Sequence, residues 1–379
     1  MHESLNTFLS VAADPPRSLT EWKKRTNGKV KIIACVPMHI PEEIIHAAGA
    51  LPVVLWESQE PVTLGFRHIQ PFYCGLARSY VDMAAKGKLE FLDGVVSSNQ
   101  CLASRGMHFV TNANSFFGYL HSVYQPQDLD KSVSKDFLVE ELERFRASLG
   151  RFIGNSITDE SLQRSIKLYN EHRALLRKLY DLRRKNPAAL KAKEVSAVVR
   201  SGMLMPIEEH NKLLQQLLSE TTPTAAGRGK TRVFLSGTLC EAANNDILDS
   251  IEGAGGLVVD DDLYVGSRYF DTDVAVNGNP MEALAGRYLH KNLRCYTTVA
   301  AGRDPGDQLV QTVKKSRAKG VITVQAKYCD PCHFVYPDIK RKLEQAGIPE
   351  LLLEVDSGSV SLERARIRVQ AFIEMLGGR

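Results

Sequence analysis

The stretch from Val321 to Gly347 restricts the fold more than any other. Its β-branched, apolar run from Val321 to Gln325 reads as a strand buried in a sheet. Tyr328, Cys329 and Asp330 follow as a turn, and Pro331 suits the first turn of a helix. Ile339, Leu343 and Ala346 then recur at helical spacing, Gly347 closes the helix, and Glu350 to Glu354 reads as another strand. A strand, a cysteine-bearing turn, a helix and a second strand make one βα unit. A thiol in that turn sits at the carboxyl end of a parallel strand, where open α/β sheets bind their ligands.

The same pattern occurs in both halves of the chain. In the first half, strands are expected at Val30–Val36, Leu51–Trp56 and Asp93–Ser97, with helices at Pro41–Gly49 and Gly75–Lys88. In the second half, Arg232–Gly237 and Leu257–Leu263 read as strands, with helices at Ala242–Gly253 and Leu362–Leu376. Between the halves, apolar residues recur every three or four positions among many charges, as in Leu138, Leu142 and Phe145, or Leu175, Leu179 and Leu182. This predicts several packed helices, with basic runs such as Arg183-Arg-Lys185 read as solvated faces. The expected fold is therefore α/β: two doubly wound parallel-sheet domains with a helical segment between them. The boundaries read as a helical arm over 1–28, a first α/β domain over 29–133, helices over 134–220, a linker over 221–231 and a second α/β domain over 232–379. A cleft between the two halves is expected.

Composition narrows the partners. The formal charge of +4 comes with interleaved signs, so no basic block grips nucleic acid. No apolar run reaches the roughly 18 residues of a membrane span. The opening residues show no basic region followed by an apolar core, so neither a signal peptide nor a membrane role is expected, and the location reads as cytoplasmic. Seven cysteines, at 35, 74, 101, 240, 295, 329 and 332, are an odd number for a disulfide framework.

Cys74 precedes a helix, Cys101 follows one strand and Cys329 follows another. Three thiols converging from two lobes suit an iron–sulfur cluster that keeps one iron free of cysteine. Spacing alone leaves two other readings open: plain buried thiols, and a redox pair at Cys329-x-x-Cys332. Other polar groups carry similar alternatives. Asp260, Asp261 and Asp262 suit a metal or a helix cap; Arg268 suits an anion or the surface; His39 and His333 suit proton transfer or packing. No P-loop is present.

Several stretches together resemble one family. They are Ile40-Pro-Glu-Glu-Ile-Ile-His-Ala-Ala-Gly-Ala-Leu-Pro52, Pro71-Phe-Tyr-Cys-Gly-Leu-Ala-Arg78, Leu92-Asp-Gly-Val-Val-Ser-Ser-Asn-Gln-Cys101 with Arg105, Asp261-Asp-Leu-Tyr-Val-Gly-Ser-Arg268, and Lys327-Tyr-Cys-Asp-Pro331 with Leu353-Glu-Val-Asp356. The family is that of benzoyl-CoA reductase and 2-hydroxyacyl-CoA dehydratase iron–sulfur subunits. The resemblance implies a [4Fe–4S] cluster on Cys74, Cys101 and Cys329, with no catalytic acid or base assigned. It also implies a larger homologous iron–sulfur subunit, an ATP-hydrolysing activator, a low-potential donor such as ferredoxin, and an acyl-CoA substrate. The dehydratases of this family usually carry Cys-Asp-Thr where this chain has Cys101-Leu-Ala. Gln100-Cys101-Leu102 and the chain's size are more similar to the smaller subunit of benzoyl-CoA reductase. The resemblance therefore favours dearomatisation of benzoyl-CoA, with a dehydratase subunit or a non-catalytic electron relay as alternatives.

Overall fold

The computed structural model describes residues 3–36, 39–55, 57–58, 60–222, 227, 229–237, 245–356 and 362–377. Two helices come first, α1 (Glu3–Ala13) and α2 (Pro15–Arg25). The first sheet follows with its helices: β1 (Ile32–Val36), α3 (Glu42–Ala47), β2 (Leu51–Val54), α4 (Gly75–Ala85), β3 (Gly94–Ser98), α5 (Leu102–Asn114) and β4 (Tyr119–Val123). The helical segment comprises α6 (Val133–Ile153), α7 (Asp159–Lys185), α8 (Ala192–Gly202) and α9 (Ile207–Glu220). The second sheet is built from β5 (Thr231–Gly237), α10 (Asn245–Gly253), β6 (Gly256–Asp261), the short α11 (Ser267–Phe270), α12 (Pro280–Leu289), α13 (Pro305–Ser316), β7 (Gly320–Ala326), α14 (Asp330–Gln345) and β8 (Glu350–Val355). Helix α15 (Leu362–Gly377) closes the chain. Of the expected elements, Trp56, Cys240 and the start of the helix expected from Ala242 lie outside the described residues, as does most of the Thr221–Gly229 stretch.

Both sheets are parallel and share one strand order. The first runs β2-β1-β3-β4 and the second β6-β5-β7-β8. In each, the chain steps outward on one side of the first strand and then returns to its other side. The reversal falls between β1 and β3 in the first sheet, and between β5 and β7 in the second. Such a reversal opens a crevice at the carboxyl ends of the strands. Each sheet is covered on both faces, because successive residues of a strand point opposite ways. Ile33, Cys35 and Val96 pack on one face of the first sheet, and Ile32, Ala34 and Val95 on the other. Val233, Leu235 and Ile322 line one face of the second sheet, and Phe234 and Val321 the other. Gly237 ends β5 at φ +147°, against the backbone of Val324 on β7, where a side chain finds no room.

The 27-residue α7 is the strut between the lobes. Near its middle, Arg173 pairs with Glu43 on α3 at 2.8 Å. Near its end, Arg183 pairs with Asp261 at 2.9 Å and Arg184 with Asp260 at 2.7 Å, both on β6. This corrects the reading of Arg183 and Arg184 as a solvated face. Arg183 is buried because buried carboxylates require a cationic partner. Among the described residues no helix is long and apolar enough to cross a membrane.

Candidate functional site

Cys74, Cys101 and Cys329 occupy one kind of position: each is the residue capping the N-terminus of a helix, α4, α5 and α14 respectively. Two of these helices follow the third strand of their sheets. Cys101 lies between β3 and α5, and Cys329 between β7 and α14, so the two are topological equivalents across the lobes. Both stand beside the crevice that the strand reversal opens.

Two contacts draw Cys74 towards the other pair. Tyr73 packs its ring on Gly106 of α5, where a methyl group has no space. Arg78, one turn into α4, forms an ion pair with Asp356 just beyond β8 and lies 5.8 Å from the Tyr328 ring. Tyr328 itself takes φ +61°, a left-handed turn that sets the direction of the Cys329 loop. The thiols sense one another electrostatically. Burial pushes the Cys74 thiol up to about 12, and charge on Cys329 and Cys101 pushes the same way. Cys101 is raised to about 11, again first by burial, with Cys329 and Cys295 adding to it. All three remain partly accessible.

Polar atoms without partners stand beside two of these thiols in sequence. Ser98 Oγ, three residues before Cys101, has no hydrogen bond among the described residues, nor does either polar atom of Gln325, four residues before Cys329. Both residues are buried. A buried amide or hydroxyl left unpaired is costly, and both stand at the carboxyl-terminal ends of their strands, β3 and β7. Gln100 is spent differently. Its Nε2 donates to Gln125 at 2.9 Å, and its Oε1 accepts from the Cys295 thiol at 3.6 Å, tying the Cys101 loop to the second lobe.

The other polar candidates are occupied. Arg184, Arg183 and Arg268 pair one-to-one with Asp260, Asp261 and Asp262, which leaves that trio to build the lobe and not to hold a metal. Asp261 Oδ1 also accepts from the backbone N–H of Ser267 at the start of α11. Arg268 is buried, neither a surface residue nor a free anion receptor. His333 is exposed on α14. His39 is half-buried at a cavity of about 30 Å³, with its Nε2 buried and unpartnered among the described residues. Burial holds His39 well below its usual range, and Lys291, Arg287 and Arg268 add to this, so it sits there neutral.

That cavity also exposes what the sequence reading missed. Glu42, Glu43, Arg173, Tyr269, Arg287 and Lys291 line it, drawn from α3, α7, α11, α12 and the loop after α12. Burial beside Glu43 raises the Glu42 carboxyl to about 8, with Tyr269 donating to it at 3.1 Å. Burial opposes ionisation of Glu43 as well, but Arg173 and Arg287 hold it below the ordinary carboxylate range. Lys291 falls to about 8 through burial, despite its 2.7 Å pair with Asp271. The Ile40-Pro-Glu-Glu motif marked this place, but nothing local to it announces partners more than a hundred residues away.

Comparison with known proteins covers nearly the whole chain. A family model described as 2-hydroxyglutaryl-CoA dehydratase, D-component, matches residues 37–376. The chain is 30% identical to the (R)-phenyllactyl-CoA dehydratase beta subunit of Clostridium sporogenes, over 98% of each chain. It is 28% identical to a benzoyl-CoA reductase subunit of Thauera aromatica, over 94% of this chain and 93% of that one. It is 27% identical to the beta subunit of (R)-2-hydroxyglutaryl-CoA dehydratase of Acidaminococcus fermentans, over 98% of each. The chain belongs to the 2-hydroxyglutaryl-CoA dehydratase D-component family.

Proposed function

We propose that this chain is the smaller iron–sulfur subunit of a complex that activates CoA thioesters with low-potential electrons, and that its reaction is the ATP-dependent dearomatisation of benzoyl-CoA. The observation that carries the first part is the placement of Cys74, Cys101 and Cys329 on three helix N-termini within one electrostatic neighbourhood. The donor set fits a [4Fe–4S] cluster. The three thiols are partly accessible and act on one another electrostatically, and thiolates are the ligands such a cluster takes. Bound there, the cluster supplies one electron at a time at low potential.

The chain's own residues prepare the place. Cys74 and Cys101 are protonated at neutral pH, so ligation displaces their protons and assembly is pH-dependent. The Arg78–Asp356 ion pair holds the Cys74 helix to the second lobe. Ser98 and Gln325 offer unspent hydrogen-bonding groups near two of the thiols, and such groups tune the potential of a cluster. Phe72, Leu102, Tyr328 and Phe334 are exposed beside the three cysteines in sequence. Exposed apolar groups at a crevice suit a partner surface, in keeping with relatives named as subunits. In this reading the partners are a larger homologous iron–sulfur subunit and an ATP-hydrolysing activator fed by a low-potential donor such as ferredoxin, all in the cytoplasm.

Reductase chemistry is favoured by Gln100-Cys101-Leu102, and a radical water elimination from a 2-hydroxyacyl-CoA by the phenyllactyl-CoA relative. ATP consumed per product separates them. Breaking aromaticity makes every electron difficult, so a reductase complex with its activator should hydrolyse ATP throughout turnover of benzoyl-CoA. A dehydratase returns its activating electron. Sustained turnover of a 2-hydroxyacyl-CoA after a brief ATP pulse, with benzoyl-CoA untouched, would reverse the assignment.

A further inference from the structure

Cys332 has no part in the three-thiol set, yet it touches one member of it. Cys329 caps α14 and Cys332 lies in the helix's first turn, so the i and i+3 side chains share one face. Their sulfurs are 2.8 Å apart, and the Cys332 N–H donates to the Cys329 carbonyl at 3.0 Å. The two differ in access. Cys332 is buried, whereas Cys329 is partly open and is followed by the exposed Asp330. An accessible sulfur in contact with a buried one is the arrangement of an attacking thiol and a resolving thiol.

We propose that Cys329 and Cys332 form a redox-active dithiol, which closes to a disulfide when the cluster-free chain meets a peroxide and reopens with an external dithiol. The Cys329 thiolate attacks one oxygen of hydrogen peroxide, the O–O bond breaks, and the departing hydroxide takes a proton and leaves as water. Cys329 then carries a sulfenic acid. The Cys332 sulfur attacks the Cys329 sulfur, the S–O bond breaks, and a second water departs with the remaining proton. Hydrogen peroxide and two thiols thus give one disulfide and two waters, with two electrons passing from sulfur to oxygen. A dithiol such as dithiothreitol reverses the closure by exchange through a mixed disulfide. Because it captures the sulfur before sulfinic acid forms, the pair preserves Cys329 from irreversible oxidation. Where Cys329 is a cluster ligand, a reading carried over from the proposed function, the disulfide also blocks cluster assembly until it is reduced.

The test uses the full chain purified free of iron, treated with a slight excess of hydrogen peroxide. Thiols are then alkylated under denaturing conditions and digested with trypsin. Cys329 and Cys332 fall in one tryptic peptide, Tyr328 to Lys340, so closure leaves that peptide unalkylated until dithiothreitol is added. The expected result is loss of two of the seven thiols in the native chain. In Cys332→Ser, the same peptide should carry sulfinic acid at position 329. A native peptide that stays fully alkylated, or that carries sulfinic acid while Cys332 remains free, overturns the dithiol. The native chain alone decides this, even if the variant fails to fold. Reconstitution with iron and sulfide then reads the ligand role separately. The closed chain should take up no cluster and the re-reduced chain a full one. Equal uptake by both leaves the dithiol standing and removes Cys329 from the ligand set.

Discussion

The two sheets repeat one strand order, but they treat their crevices differently. At the third strand they agree: β3 leads to Cys101 at the start of α5, and β7 leads to Cys329 at the start of α14. At the helix that enters the third strand they part. In the first lobe α4 begins on Cys74, whereas in the second α13 begins on Asp304, whose side chain accepts from the backbone N–H of Asp307 at 2.9 Å. A carboxylate that caps its own helix is satisfied where it stands. A cysteine is a poor cap, because its sulfur is a weak acceptor for the backbone N–H groups at the helix start, Ala77 in the case of Cys74. The difference suggests that helix stability was given up on one side to place a thiol, which an economical structural cap would not require.

The largest expected effect bears on the equivalence of Cys101 and Cys329. Serine at either position should reduce iron and acid-labile sulfide to background in the anaerobically purified complex, and Cys74→Ser should do the same. Full cluster content in Cys329→Ser would break the correspondence between the lobes.

The next effect tests the seam that holds the lobes in register. Arg183 donates to Asp261 and to the Val258 carbonyl, both at β6. Methionine at 183 leaves the buried Asp261 carboxylate, among the described residues, with the Tyr180 hydroxyl and the Ser267 backbone N–H as donors. A loss of about 3–5 kcal/mol in denaturant unfolding is expected. A loss below about 1 kcal/mol would mean that the seam does not depend on this charge.

These contrasts explain how much could be read from the chain. The β7–Cys329–α14 unit was legible almost residue by residue, because a buried β-branched run, a turn proline and a terminal glycine all lie within it. Helix α5 and strand β4 were not anticipated. Only Ser104, Met107 and Thr111 of α5 are buried, and although their spacing is helical two of them are polar, so no apolar stripe marks the helix; β4 is an edge strand carrying His121 and Ser122. The Arg183 reading failed for a related reason. Sequence shows a basic run, but only the tertiary fold shows the acidic strand it meets.

A smaller, pH-dependent effect concerns the buried carboxylates, which are matched in one lobe and mismatched in the other. Asp260, Asp261 and Asp262 each have a guanidinium, but Glu42 shares its surroundings with Glu43 and keeps a proton up to about 8, through burial first and Glu43 second. An unfolded chain releases that proton near the ordinary 4.5. The folded state therefore binds more protons between those limits. Its stability is fully present below about 4.5 and falls as pH rises to about 8, by at most about 1.4 kcal/mol per unit. Glutamine at 42 still accepts from Tyr269 and has no proton to lose. The variant should gain on the native chain as pH rises, by roughly 2 kcal/mol between about pH 5.5 and 7. Denaturant midpoints from pH 5.5 to 8 that run parallel for the two proteins would show that Glu42 ionises freely in the fold.

The smallest effect is expected at Cys295, and it is the sharpest check on the thiol assignment. Cys295 is a competitor for the Cys101 side of the site: its charge raises the Cys101 thiol, and it lies in the seam between the lobes. Yet its sulfur is already engaged. It accepts from the Tyr264 hydroxyl at 3.2 Å and from Thr297 at 3.1 Å, and it donates to Gln100 at 3.6 Å. It follows no strand of the sheet and caps no helix, so it lacks the placement that Cys74, Cys101 and Cys329 share. Serine offers the same donor and acceptors in a slightly smaller side chain. Cys295→Ser should keep its full iron and sulfide and lose no more than about 1 kcal/mol of stability. Iron lost in Cys295→Ser but retained in Cys74→Ser would move the site from the helix caps to the seam, and the asymmetry between the lobes would need another cause.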